Sequence, residues 1–219
     1  MKNIYLVNYS VKGIKTLDEL ISLSFYKKTI TRNLDTQEYN VKGIYGMNGS
    51  GKSAIVTSAD ILRNLLTNPG YLNNPIVQKN LEELINKKLG ELFISVDFLV
   101  NLNKQENSIP VLMRYMVTIS QNSNGKYAIS HEKLSCKNAC RKSDFMFNVF
   151  ETQKGDVISV IDEAENPFLK RFLDKTTNLL EDNSMCVLFF DKVLMDMAKD
   201  ETDKDYPILF YQLLSLWIF

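Results

Sequence analysis

Apolar and polar residues alternate along two regions of the chain, and this period of two residues predicts β-strands. Three strands are predicted in the first region: "KNIYLVNYS", the "ISLSF" part of "DELISLSFYKK", and "YNVKGIYG". The third of these runs directly into a glycine-rich stretch. Four more are predicted in the second region: "ELFISVDFLV", "VLMRYMVTIS", "KYAISHEKLS" and "FMFNVFE". Turn-forming residues such as "QNSNG" connect them, so we expect an antiparallel meander.

The spacing of apolar residues changes to a helical period after Lys52. The buried face of this first helix is predicted to carry Ile55, Val56, Ala59, Leu62, Leu65 and Leu66. The helix is expected to end at "TNPG", and a second helix is predicted over "NPIVQKNLEELINKKLG" with Gly90 as its C-terminal cap. From about Asn166 the pattern predicts three further helical segments: "PFLKRFLDKTTNLL", "CVLFFDKVLMDMAKD" and "YPILFYQLLSLWIF".

Charge is unevenly distributed, although the chain of 219 residues is formally neutral. The stretch from Glu151 to Asp205 holds 14 of the 26 acidic residues but 7 of the 26 basic ones. The remainder is therefore basic, which suits ligands that carry phosphate. No signal peptide is visible, and the charge-free apolar stretch of 14 residues at 206–219 is too short to span a bilayer. We therefore expect a cytoplasmic protein with no membrane partner.

The three cysteines, Cys136, Cys140 and Cys186, show no disulfide framework. His131 is the only histidine, and with Cys136 and Cys140 it could supply three zinc ligands. A structural zinc site ordinarily uses four ligands in paired spacing, so reduced intracellular thiols are the preferred interpretation.

The segment "GMNGSGKS" fits the pattern G-x-x-x-x-G-K-[ST] at every fixed position. Glycines let backbone N–H groups point inward at a phosphate, and the following helix adds its positive N-terminal end. Lys52 is predicted to reach the β- and γ-phosphates of a nucleotide, and the Ser53 hydroxyl to become a magnesium ligand. The predicted nucleotide-binding residues are Gly46, Asn48, Gly49, Ser50, Gly51, Lys52, Ser53 and Ala54. The alternative is a structural turn that binds no ligand.

Hydrolysis would also require a carboxylate that holds magnesium at the end of a buried strand, and a group that orients water. Asp162 and Glu163 end the apolar run "VISVIDE" and are the candidates; an exposed strand or turn is the alternative. Asp191 ends "MCVLFFD", but the helical spacing around it favours a solvated position.

These elements together predict an α/β fold: a P-loop NTPase core with a mixed sheet, an antiparallel β-meander and a C-terminal helical segment. We assign residues 1–160 to a P-loop ATPase lobe that includes the meander. Residues 161–219 are assigned to the helical segment.

The order of elements resembles the N-terminal half of ABC-type ATPases of the SMC and RecF group. The resemblance rests on a first strand ending in "NYS", a second apolar strand, and then "KGIYGMNGSGKS". It is closest to the bacterial AAA family ATPases that include overcoming-lysogenization-defect-like and phage-defence ATPases. In that group "NYS" would match an N-F-R-S-like stretch beside the nucleotide, where Tyr9 and Ser10 stand here. The segments "RYMVTISQNSNGKYAISHEKLS" and "NVFETQKGDVI" are also similar to strands of that group.

The resemblance implies binding of ATP with Mg²⁺, in a system of DNA repair or phage defence. In such ATPases two units sandwich ATP, and hydrolysis drives work on DNA or a partner nuclease. The family's signature segment and Asp-Glu strand are not found after Asn166, and no histidine follows His131. We therefore expect an N-terminal piece of a longer ATPase, acting as a homodimer or with its C-terminal half, and weak or no hydrolysis by this chain alone.

Two other functions stay open at this point. A self-contained P-loop kinase for a small molecule would need a lid with arginines, whereas the five arginines of the chain are scattered. A non-enzymatic interaction module would keep the glycine-rich stretch only as a turn.

Overall fold

The computed structural model describes residues 3–25, 42–101, 110–139, 145–161 and 167–189. Its elements in chain order are β1 (Asn3–Lys12), β2 (Ile21–Ser24), α1 (Lys52–Thr67), α2 (Pro75–Leu84), β3 (Glu91–Asn101), β4 (Val111–Gln121), β5 (Tyr127–Asn138), β6 (Phe147–Gln153), β7 (Asp156–Val160) and α3 (Pro167–Thr176). Residues 71–73 and 177–179 form 3₁₀ turns, and residues 185–189 are helical.

The seven strands form one sheet in the order β2-β1-β3-β4-β5-β6-β7, and every neighbouring pair is antiparallel. The predicted antiparallel meander is therefore confirmed for β3 to β6. The predicted α/β fold, a P-loop NTPase core with a mixed sheet, is wrong for the described residues, because no parallel pair occurs among them. Strands with one apolar and one polar face suit this arrangement, since an antiparallel sheet can leave one face in water.

The glycine-rich stretch does not follow a strand within the described residues. Residues 42–47 have no regular secondary structure, and residues 39–41 of the predicted third strand lie outside the described ranges. Tyr45 is 94% exposed and Met47 is 84% exposed. The central strand of a parallel sheet is buried on both faces, so this stretch cannot occupy that position.

One face of the sheet carries the apolar core. A row of directly paired residues crosses that face: Tyr9, Val96, Tyr115, Leu134 and Phe150. All five are buried. The alternation predicted for β3 and β4 is thus confirmed, because its apolar positions fall on the core side.

The helices cover this same face. The Tyr9 hydroxyl of β1 bonds to Ser58 of α1, and Gln78 of α2 bonds to backbone atoms of Tyr127 at the start of β5. Phe172 of α3 meets Phe189 edge to face, with ring centroids 5.3 Å apart and planes at 79°. Such aromatic pairs add to the stabilisation that burial provides.

The buried stripe of α1 differs from the predicted one. It consists of Ala54, Ile55, Ser58, Ile61, Leu62, Leu65 and Leu66. Val56 is 66% exposed and Ala59 is also exposed, so their predicted burial is wrong. Ser58 holds a core position because its hydroxyl finds a buried partner in Tyr9, and a buried polar group requires such a partner.

The predicted cap at Gly90 is also wrong. The helix α2 ends at Leu84, and its C-cap is Ile85, which bridges to Ile14 in the β1–β2 connection. Gly90 has a φ of +68° and donates its N–H to the carbonyl of Asn86 at 2.8 Å. It therefore closes a separate turn that leads into β3.

A bulge changes which side chains of β5 face the core. The pairing of β4 with β5 shifts register between Thr118 and Ile119, which leaves Ser130 as an extra residue on β5. An extra residue inverts the alternation of the strand beyond it. Ile129 is buried on one side of the bulge and Glu132 on the other, so a carboxylate enters the core.

The described C-terminal region, residues 167–189, is helical at 167–176 and 185–189, with a 3₁₀ turn at 177–179. The helix α3 and the helical residues 185–189 agree with the first two predicted segments, and the third, residues 206–219, lies outside the described ranges. In the part of the chain that the structure describes, no helix is long and apolar enough to cross a membrane.

Candidate functional site

Residues 46–53, called the glycine loop below, form an exposed turn that leads into α1. Ser50 donates its backbone N–H to the carbonyl oxygen of Met47 at 3.2 Å. Gly49 and Gly51 have φ values of +83° and +87°, in the left-handed region that glycine adopts without strain. Asn48, directly before Gly49, and Ser50, between the two glycines, are both exposed. The backbone therefore curls back on itself directly before the helix begins.

The β1–β2 connection supports the glycine loop from one side. A Cβ atom added at Gly51 would overlap the side chain of Leu17. Thr16 donates its hydroxyl to the carbonyl oxygen of Gly49 at 3.4 Å. Asn86, beyond α2, donates its Nδ2 to the carbonyl of Lys15 at 2.7 Å and holds the connection in place. Residues distant in sequence thus fix the shape of the loop.

Lys52 extends across the beginning of the loop. Its Nζ donates to the carbonyl oxygens of Gly46 and Met47, at 2.7 Å each. An ammonium group has three N–H donors, so these bonds leave one for a ligand. The two carbonyls fix the position of the charge without neutralising it. A phosphate oxygen is the ligand that suits such a donor.

The N-terminus of α1 is arranged to receive an anion. Its N-cap, Gly51, has no side chain that could cap the helix, and its first turn contains no acidic residue. Ala54, a predicted ligand-binding residue, is instead buried and donates its N–H to the Gly51 carbonyl at 3.0 Å. Lys52 and Ser53 lie in the first turn of α1, where backbone N–H groups have no acceptor within the helix. Together with the partial positive charge of a helix N-terminus, they favour a bound anion.

Ser53 stands next to Lys52 with an exposed side chain. Its carbonyl oxygen accepts a hydrogen bond from the Thr57 hydroxyl at 2.8 Å, and this contact leaves the Ser53 hydroxyl available for a ligand. A serine oxygen is a hard ligand that magnesium accepts when nucleotide phosphates and waters complete its octahedron.

The carboxylate candidates cannot be placed beside this serine. Asp162, Glu163 and Asp191 lie outside the described residues. Among the residues that are described, no group of three His, Cys, Asp or Glu side chains could hold a metal ion. Asp60 of α1 is engaged in an ion pair with Arg63 at 2.6 Å.

The stretch "NYS" does not present its tyrosine to a ligand. Tyr9 is buried, and its hydroxyl lies 2.6 Å from Ser58 Oγ. Burial raises the pKa of Tyr9 to about 12. Ser10 faces the opposite side of the sheet, where its hydroxyl lies 2.8 Å from that of Ser22. These two side chains serve packing and strand pairing.

The possible zinc ligands do not converge. His131 and Cys136 lie on opposite faces of β5, and Cys140 is outside the described residues. His131 Nε2 lies 2.9 Å from Glu151 Oε1 on the polar face of the sheet. Cys136 packs against the apolar core, and burial raises the pKa of its thiol.

Three features of this region carried no local sequence signal. The support of the loop by Thr16 and Leu17 depends on a contact between residues more than 30 positions apart. The Tyr9–Ser58 bond and the buried position of Glu132 depend on tertiary packing and on the β5 bulge. Only the glycine pattern around Lys52 could be recognised from the sequence.

The geometry gives the glycine loop one chemical capability, which is to bind an anion with backbone N–H groups, a fixed ammonium and an adjacent hydroxyl. No protein-family model matches this chain, and no curated protein matches it.

Proposed function

We propose that the chain binds ATP with magnesium through the glycine loop. Lys52 contacts the β- and γ-phosphates, the backbone N–H groups at the start of α1 bond to them, and the Ser53 hydroxyl binds the ion. The observation that carries the proposal is the Lys52 ammonium, which is held between two carbonyl oxygens with one donor left over. The resemblance to ABC-type ATPases of the SMC and RecF group is the reason for proposing ATP and magnesium as the ligands.

Within this proposal the chain is the nucleotide-binding, N-terminal part of such an ATPase. Hydrolysis then depends on groups from a second copy or from the C-terminal half of the same ATPase, and the chain alone turns ATP over weakly or not at all. DNA or a nuclease is the partner on which the complete assembly would act, in DNA repair or phage defence. The free thiols Cys136 and Cys186 suit the cytoplasm, where ATP is available.

A small-molecule kinase is less well supported. Arg63 and Arg114 are engaged in ion pairs with Asp60 and Asp97 on the body of the domain. The other arginine positions lie where the structure describes no side chain. Phosphate transfer to an added acceptor would be required to favour the kinase.

Calorimetric titration of the full chain with Mg-ATP tests the proposal. Lys52→Met removes the charge and keeps most of the side-chain length, and it should weaken binding about tenfold or more, since hydrogen bonds to charged groups contribute about 1.5–3 kcal/mol. Lys79→Met, on the exposed side of α2, is the matched control and should bind as the wild type does.

Competition with shorter ligands sharpens the test. ADP and pyrophosphate should compete with ATP because they provide the phosphates that the loop would hold, whereas AMP should compete poorly. Wild-type protein that fails to bind Mg-ATP at millimolar concentration, or a Lys52→Met variant that binds normally, would exclude this function.

A further inference from the structure

Glu132 of β5 lies in the apolar core with no exposed surface. Both of its carboxyl oxygens are hydrogen-bonded. Oε1 accepts from the Tyr115 hydroxyl at 2.8 Å and from the Ser184 hydroxyl at 2.5 Å. Oε2 accepts from the backbone N–H of Met185 at 2.8 Å. Two of these three donors come from one short segment, more than 50 residues further along the chain.

That segment begins a helix whose N-terminus faces the carboxyl group. Ser184 stands immediately before the helical residues 185–189, and its Oγ accepts the backbone N–H of Cys186 at 3.1 Å. The Ser184 hydroxyl and the Met185 N–H are hydrogen-bond donors, each directed at a carboxyl oxygen of Glu132. The side chain of Glu132 therefore fastens the start of this helix to the middle of the sheet.

Residues 181–186, called the latch segment below, make three more connections. The backbone N–H of Gly70, just beyond α1, donates to Asn183 Oδ1 at 2.5 Å. Lys126 Nζ, in the β4–β5 turn, donates to Asp182 Oδ1 at 2.7 Å. The N–H of Ile129 donates to the Glu181 carbonyl at 2.8 Å. The latch segment thus joins the far end of α1 to the β4–β5 hairpin, with Glu132 at its buried end.

The surroundings of Glu132 contain no strong positive charge. Tyr115 faces it from β4, Cys186 from the helical residues, and the buried Thr152 opposes it on β6. Its neighbour His131 bonds to Glu151 on the polar face of the sheet. No lysine or arginine forms an ion pair with Glu132 among the described residues. A buried carboxylate without a counter-charge is costly in the ionised form.

We propose that Glu132 is a proton-sensitive switch that controls attachment of the latch segment to the sheet. In the docked state the carboxyl group takes up one proton from solvent. Its O–H donates to the Tyr115 or Ser184 oxygen, and the other carboxyl oxygen keeps the Met185 N–H. When the latch segment detaches, water reaches Glu132 and the proton returns to solvent. The latch segment is therefore held most firmly at low pH and opens more readily as pH rises.

The electrostatics agree in direction with this geometry. Burial is the main influence on Glu132 and raises its pKa, while the bonds from Ser184, Met185 and Tyr115 lower it by less. A docked state with a raised pKa binds more protons than the open state. Opening must then increase with pH, from about the ordinary glutamate pKa of 4.3 up to the raised value.

Hydrogen exchange of the full chain, measured across this pH range and corrected for intrinsic rates, tests the switch. The opening constant at Gly70 and residues 185–189 should rise by up to about tenfold per pH unit, as expected for one linked proton. Glu132→Gln cannot ionise and should abolish this rise. Glu91→Gln, at an exposed position of β3, is the matched control and should keep it.

Two further variants test whether the pH dependence of opening comes from Glu132. Tyr115→Phe removes a donor that stabilises the carboxylate, so the rise should persist but extend to higher pH. Cys186→Ala should keep the rise, since burial holds the pKa of that thiol well above its usual range. If Glu132→Gln fails to fold, the wild type and these two variants still decide. A wild-type opening constant that does not change with pH, or a rise unaltered in Glu132→Gln, overturns the proposal. The proposed switch at Glu132 does not depend on nucleotide binding.

Discussion

Leu17 packs so closely against Gly51 that the glycine position has no space for a side chain. The contact joins the β1–β2 connection to the residue immediately before α1. The sequence pattern of the loop fixes a glycine at position 51, and the structure gives two reasons for it. Gly51 has a φ of +87°, and the side chain of Leu17 lies too close for a Cβ atom. Gly49 shares only the first requirement, since nothing lies within 4 Å of a Cβ added there.

Alanine substitutions at the two glycines should therefore differ in their cost. Gly49→Ala should lower the free energy of unfolding by about 1–2 kcal/mol, the cost of a left-handed conformation for an L-residue. Gly51→Ala adds overlap with Leu17 and should cost about 2–5 kcal/mol in all. Urea unfolding measures both. A Leu17→Ala change made in the Gly51→Ala protein should recover part of the loss; equal costs at the two glycines would contradict the contact.

Ser53→Ala should separate magnesium binding from phosphate binding. If the Ser53 hydroxyl binds the ion, the wild type binds ATP more tightly with Mg²⁺ than with a chelator present. The variant should lose most of that difference and keep the chelator-insensitive affinity that Lys52 provides. Ser53→Thr retains a hydroxyl at the same place and is expected to behave as the wild type. A full magnesium effect in Ser53→Ala would remove Ser53 as a ligand.

The buried Tyr9–Ser58 pair should show strong coupling. Ser58 Oγ donates its hydrogen to the Ile55 carbonyl at 2.7 Å, so Tyr9 is the donor to Ser58. Ser58→Ala leaves a buried phenol without an acceptor and should cost about 1–3 kcal/mol, less a few tenths gained from helix propensity. In a Tyr9→Phe background the same change should be neutral or stabilising, because no unpaired donor is left. Additive losses in a double-mutant cycle would show that the bond contributes nothing.

Glu151 should stabilise the fold in a manner that is lost at acid pH. Lys133 donates to Glu151 at 2.7 Å and His131 bonds to its other oxygen, and both bonds lower the pKa of the Glu151 carboxyl group. A lowered pKa in the folded state means that the unfolded chain binds more protons there. The contribution is therefore complete above the ordinary glutamate pKa and declines as pH falls below it.

Glu151→Gln should flatten the acid side of the stability profile, measured by urea unfolding from about pH 6 to pH 3. The raised pKa of Glu132 has the opposite consequence, because its contribution to stability is lost as pH rises above the ordinary glutamate pKa. Glu132→Gln should therefore remove that loss at higher pH and leave the acid side of the stability profile unchanged. The two variants act as controls for each other, because they lie on opposite faces of neighbouring strands. Similar effects of both on the same pH range would contradict the assignment of either.

Local patterns predicted much of the secondary structure. The alternation in β3 and β4 and the helical period of α1 and α3 are properties of short stretches, and each needs only the geometry of its own backbone. The glycine loop was visible for the same reason. Its predicted strand was not found in residues 42–47, because alternation over a few residues cannot show whether both faces become buried.

The placement of individual side chains was less predictable. Val56 is exposed and Ser58 is buried because Tyr9 supplies a partner from another strand. Glu132 stands in a segment that appears polar, and one extra residue at Ser130 turns it into the core. Neither the Tyr9 partner nor the bulge at Ser130 can be recognised from the neighbouring sequence.

The sequence by itself determined the strands of the meander, the helical period of α1 and α3 and the glycine loop, since these arise from contacts between near neighbours along the chain. Only the tertiary structure decided that the sheet is antiparallel throughout, that Leu17 leaves no space at Gly51, and that Glu132 receives the start of a distant helix. Those relationships are contacts between residues far apart in the chain. They form because the burial of apolar surface and the pairing of buried polar groups favour this tertiary arrangement.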